Sequence, residues 1–146
     1  AILADKPADM IITTHVCRGN YKSSYLLTGA YDPVADSLFG QTSYDGYFLE
    51  YDDERSGGFE PLKHFANNKG RVVLGLISSK FPELEDKEAI KARIQEAAKY
   101  VPLEQLCLSP QCGFASTEEG NVMTEAQQWA KVRHVEEIAK EVWGED

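Results

Sequence analysis

Four times along this 146-residue chain a β-rich apolar run gives way to a stretch with helical periodicity, and that alternation constrains the fold more than any other feature. Strands separated by helical segments of such length cannot pair as hairpins, so they align in parallel with right-handed crossovers. The strands are expected at 10–16, 46–51, 71–77 and 103–108. Met10-Ile11-Ile12 leading into Val16 and Arg71-Val72-Val73-Leu74-Gly75-Leu76-Ile77 read as continuous apolar runs, the pattern of strands buried on both faces.

The intervening segments carry helix signals. Asp32-Pro33 offers a cap and a first-turn proline, with Gly40 as terminator. A short helix is expected from Pro61 to about Asn67, and a longer one from about Asp86 to Tyr100 with Ile90, Ile94, Ala97 and Val101 on one stripe. Thr124-Glu125-Ala126-Gln127 forms a capping box, after which Trp129, Val132, Val135, Ile138, Ala139 and Val142 recur at helical spacing. Four β-α units make either a small open α/β sheet or half of a (β/α)8 TIM-type barrel.

Composition narrows the function. Twenty-four acidic residues against 15 Lys and Arg give a formal charge of −9, which repels phosphate backbones, and no local basic patch compensates. Nucleic acid is therefore not an expected partner. No apolar run approaches the roughly 18 residues of a membrane span, so no membrane partner is expected either. Three cysteines are too few and too odd in number for a disulfide framework, which fits a reducing cytoplasm. A first residue that is not Met, with strand-like sequence within ten residues, suggests a segment of something longer.

Chemistry-bearing side chains fall at strand ends. His15 and Cys17 lie at the end of the first strand, Glu50 at the end of the second, and Cys112 just past the fourth. In parallel α/β folds those ends share the face that binds ligands. One imidazole, two thiols and one carboxylate suit tetrahedral zinc. No paired C-x₂-C knuckle is present, so the set resembles a site open to substrate more than a closed structural one. Glu50 in an apolar strand needs a cation, for which a metal and Arg55 compete. Cys107 reads as a core residue, and His64 and His134 as surface or internally satisfied histidines.

His15-Val16-Cys17-Arg18-Gly19-Asn20, Leu49-Glu50-Tyr51-Asp52-Asp53 and Leu108-Ser109-Pro110-Gln111-Cys112-Gly113-Phe114-Ala115-Ser116 together resemble cobalamin-independent methionine synthases, most closely the short, single-barrel bacterial members. The resemblance runs over essentially the whole chain and implies that residues 1–146 are the C-terminal half, the last four β-α units, of a (β/α)8 barrel. It implies zinc as cofactor, held by His15, Cys17, Glu50 and Cys112. The implied reaction transfers a methyl group from 5-methyltetrahydrofolate, or a related methyl donor, to the thiol of homocysteine, giving methionine. It also implies a missing N-terminal half of the barrel as partner.

Where longer relatives place a histidine thought to protonate the folate leaving group, this sequence has Lys80 in Ser78-Ser79-Lys80-Phe81-Pro82. A catalytic role as acid, a cation for a substrate carboxylate, and a solvated side chain are all open to it. Two rival functions stand beside the methyltransferase: a non-catalytic zinc-binding fragment, and a small α/β module whose Cys and His are structural.

Overall fold

The computed structural model describes residues 3–144 apart from Asn20, Tyr25 and Ser116; Asn20 and Ser116 of the quoted motifs thus lie outside the described residues. Strands β1 (Thr13–Val16), β2 (Gly46–Glu50), β3 (Arg71–Ile77) and β4 (Leu106–Pro110) form one sheet in the order β1-β2-β3-β4. Every neighbouring pair is parallel. This is the α/β architecture expected from the alternation, with β1 and β4 at the edges of the four-stranded sheet.

Register explains how the sheet divides its side chains. Thr14, Tyr47 and Val72 stand abreast, as do Val16, Leu49, Leu74 and Leu108. These rows point into a core of Tyr31, Phe39, Tyr47, Leu49, Phe65 and Leu74, closed by Ile90, Ile94 and Ala97 of helix α1 (Lys87–Ala97) and Ile138 of helix α2 (Glu125–Trp143). The alternate row, His15, Phe48, Val73 and Cys107, lies on the other face. Phe48 there is 39% exposed although both β2 neighbours are buried. One face of the sheet is packed and the other is partly open.

Several expectations shift for physical reasons. The first strand is shorter than 10–16 and only half-buried, because it is an edge and because Met10 and Ile11 face outward at 48% and 79% exposure. The fourth strand starts three residues late, since Pro102 caps a 3-10 turn at Leu103–Gln105 before the ladder forms. The segment after Asp32 is a 3-10 turn running into a π-helical turn that ends at Gly40, and the one after Phe59 is a 3-10 helix, Glu60–Phe65.

The helices follow their signals closely. Asp86 caps α1 through Ala89 N–H, and Thr124 caps α2 with both bonds of the capping box present. The buried stripe of α2 is not the apolar one read from sequence. Lys131, His134 and Ile138 face inward while Trp129 stays half-exposed, because Lys131 pairs with Glu85 at 2.8 Å and His134 Nε2 meets the Glu85 carbonyl at 2.7 Å. His134 is thus an internally satisfied histidine, and His64 lies 3.5 Å from Asp36. Cys107, read as core, sits half-buried on the open face with Arg71 at 3.7 Å. Among the described residues no helix is long and apolar enough to cross a membrane.

Candidate metal centre

Residues two apart on a strand point the same way, so His15 and Cys17 both leave β1 toward the open face. Glu50 is the last residue of β2 and, two positions beyond Phe48, shares that face. Cys112 arrives from the turn after β4, two residues beyond Pro110, with a backbone φ of 41°. That left-handed conformation is unusual for a residue with a side chain and is sustained only where the surroundings fix it.

The four donor atoms lie within 4.8 Å of one another. Cys112 Sγ is 3.1 Å from Cys17 Sγ, 3.1 Å from Glu50 Oε1 and 3.5 Å from His15 Nε2, and His15 Nε2 is 3.9 Å from Glu50 Oε1. Thiolates about 2.3 Å from a tetrahedral zinc stand roughly 3.8 Å apart, and nitrogen and oxygen donors somewhat closer. The observed separations bracket those values, so the set closes on an ion with sub-ångström adjustment. The sulfurs are well beyond the roughly 2.05 Å of a disulfide, and all three cysteines are free. A cavity of about 30 Å³, bounded by His15, Phe48, Glu50, Gly75, Gln111 and Cys112, is room for one small ion or water. A larger cleft of about 530 Å³ opens at the opposite end of the strands, among loops that bring no such donor group together.

Electrostatics explains why these groups ask for a cation. Glu50 is 1% exposed. Burial pushes its carboxyl up, but hydrogen bonds from the Cys112 thiol, the Gln111 amide and the Arg18 N–H, with the Lys80 charge behind them, hold it below the ordinary range. Burial, the Cys17 sulfur and the Glu50 carboxylate in turn push the Cys112 thiol well up. Anionic donors crowded into a half-buried corner are stabilised together by a shared divalent ion, which deprotonates coordinating thiols. Gly19 N–H points at Cys17 Sγ from 3.1 Å, an added donor to a thiolate there.

A buried clamp supports the ligands, and sequence reading missed it. Arg18, placed in a loop judged too polar for core, is only 7% exposed. Its backbone N–H donates to Glu50 Oε2 at 3.0 Å, and its guanidinium donates to Glu50 O, Tyr31 Oη and Gly29 O. Tyr31 Oη also accepts from Glu50 N–H at 2.8 Å. Arg18 therefore ties the Cys17 segment to the end of β2. The unsatisfied Glu50 was the available signal, but Arg55, the candidate weighed for it, pairs with Asp52 and Asp53 instead. Lys80 is buried, 2% exposed, with Nζ against Gln111 Oε1 and 3.4 Å from Asp52 Oδ2. A solvated Lys80 is ruled out by that burial.

Comparisons with known proteins agree with this geometry. Residues 4–140 match the family model described as cobalamin-independent synthase, catalytic domain. Two uncharacterized Bacillus subtilis (strain 168) proteins, YxjG and YxjH, are 58% and 57% identical over 141 residues, 97% of this chain but 37% of theirs. A Listeria monocytogenes protein provisionally named a vitamin-B12 independent methionine synthase superposes with a TM-score of 0.73 at 51% identity, covering 97% of this chain and 37% of its own. A B12-independent methionine synthase from Shewanella sp. W3-18-1, solved in complex with selenomethionine, shares the fold at a TM-score of 0.73 and 19% identity, covering 92% and 39%. The chain thus spans little more than a third of the relatives it matches.

Proposed function

The chain belongs to the cobalamin-independent synthase catalytic-domain family, and from that premise we propose that it carries the zinc-binding part of a methyltransferase acting on a thiol. The methyl group would come from 5-methyltetrahydrofolate or a related donor, and the acceptor would be homocysteine, giving methionine. Residues 1–146 would be the C-terminal half of a (β/α)8 barrel, and the preceding half would complete the substrate pocket over the open face of the sheet. The observation that carries the reading is the meeting of His15, Cys17, Glu50 and Cys112 within 4.8 Å at the strand ends.

A zinc ion bound there would supply the positive charge that keeps a substrate thiol as thiolate at neutral pH, where a free thiol is mostly protonated. His15, Cys17 and Cys112 would hold it, with Glu50 as the oxygen donor. Arg18 N–H and Gly19 N–H orient Glu50 and Cys17 from behind, the outer-shell support that metal ligands require. The substrate sulfur would approach from the open side of the sheet, past Phe48.

The test is a methyl-transfer assay on the intact protein with homocysteine and methylated folate, alongside zinc analysis of His15→Ala and Cys112→Ser. The reading expects stoichiometric zinc in the parent, its loss in both variants, and activity lost with it. Zinc without methyl transfer to any thiol would leave a non-catalytic zinc-binding module. Absence of zinc would make the cysteines and histidine structural.

A further inference from the structure

Behind the four ligands runs a string of buried polar groups that the proposed chemistry does not use. Lys80 and Asp52, with side chains 2% and 3% exposed, form an ion pair at 3.4 Å. Ser78 Oγ donates to Asp52 Oδ2 at 3.1 Å and accepts from Lys80 N–H at 3.3 Å. Taking two charges out of water is expensive, and neutral packing of the same volume would often serve stability as well. The pair does have a directional product: Lys80 Nζ donates to the side-chain oxygen of Gln111.

Gln111 immediately precedes Cys112 and is itself 1% exposed. Its backbone N–H is held by Ile77 O at 2.7 Å, and its Cα packs against Gly75, 3.4 Å from where a β-carbon would stand. With its oxygen taken by Lys80, the amide presents its Nε2 end elsewhere, and that buried nitrogen has no hydrogen-bond partner of ordinary geometry. Gln111, Glu50 and Cys112 line the same small cavity.

We propose that Gln111, oriented by the Lys80–Asp52 pair, is a positioning residue of the metal centre: its amide N–H₂ steers the Glu50 carboxylate while its anchored backbone delivers Cys112. The inference rests on the zinc reading above and gives Lys80 a task other than proton donation. Lys80 acts through Gln111, because its ammonium ends on Gln111 and Asp52 inside the protein. Replacing the amide or the ammonium frees the carboxylate to rotate and loosens the ligand next door. Outer-shell partners of this kind are typically worth about 10–100-fold in metal affinity.

The test compares the intact protein with Gln111→Leu and Lys80→Met, each loaded with cobalt(II) in place of zinc. Expected are a changed cobalt charge-transfer and d–d spectrum and zinc binding weakened about 10–100-fold by chelator competition. The unfolding midpoint of the metal-free protein should move far less in Gln111→Leu than metal affinity does. If Lys80→Met fails to fold because it strands the Asp52 charge, Lys80→Met combined with Asp52→Asn removes both charges and takes its place. Parent-like spectra and affinities in the variants would overturn the inference alone, as would a loss of stability with metal properties intact. A parent that binds neither cobalt nor zinc would overturn the zinc reading and this inference with it.

Discussion

Gly75→Ala is the most discriminating single substitution outside the ligands. Gly75 sits in the middle of β3, paired with Glu50 on one side and Ser109 on the other, where the β3–β4 register shifts. A β-carbon there would stand 2.8 Å from Leu49 O, 3.4 Å from Gln111 Cα and 3.6 Å from Glu50 Cα. The first obstacle is backbone, so relief requires β2 to give by roughly half an ångström, and overpacking of that kind costs about 1–3 kcal/mol. Alanine would otherwise gain about 0.5–1 kcal/mol over glycine in a strand, so net destabilisation is itself diagnostic.

The displacement falls on the segments carrying Glu50 and Cys112, and metal bonds tolerate only about 0.2 Å. Zinc affinity should therefore drop about 10–100-fold, which corresponds to about 1.4–2.8 kcal/mol. The assay pairs urea unfolding of the metal-free protein with chelator competition. Gly113→Ala is the control, since its added methyl meets nothing within 4 Å although it also flanks Cys112. A Gly75→Ala protein as stable and as zinc-avid as Gly113→Ala would refute the claim that close strand approach at Gly75 sets the ligand geometry.

Two further outcomes follow from the same structure. Burial pushes the Tyr31 hydroxyl up to about 12, Arg18 only partly opposing it. Unfolded tyrosine ionises near pH 10, so the stabilisation is complete below that pH and is lost as pH rises through the folded value, giving a fall of about 2–3 kcal/mol between roughly pH 10 and 12. Unfolding followed by tyrosinate absorbance should show it; a flat profile over that window would contradict a buried Tyr31 hydroxyl. At the other end of the chain, Thr124→Ala removes the side-chain acceptor for Gln127 N–H and should cost about 1 kcal/mol in thermal unfolding. No change would mean the α2 cap contributes nothing measurable.

How far the fold was legible depended on where each element sits. β3 was readable to the residue because six of its seven positions are buried, which writes a continuous apolar run into the sequence. β1 was overextended because apolar Met10 and Ile11 resemble strand interior, and sequence does not reveal that they lie outside an edge. α2 was placed by its capping box but rotated, since an apolar pattern carries no sign that Lys131 is buried against Glu85. The four donors were legible because chemistry at strand ends needs only order and parity. Arg18, Tyr31 and Gln111 were not, because their work is done by contacts between distant segments. A buried guanidinium bonded to carbonyl and hydroxyl oxygens leaves no local motif.

Zinc-edge X-ray absorption on the intact protein tests the central claim most directly. The account predicts one zinc per chain with two sulfur neighbours at about 2.3 Å and two nitrogen or oxygen neighbours at about 2.0–2.2 Å, and one sulfur fewer in Cys112→Ser if any zinc is retained. A protein without bound zinc, or zinc surrounded by nitrogen and oxygen alone, would contradict it.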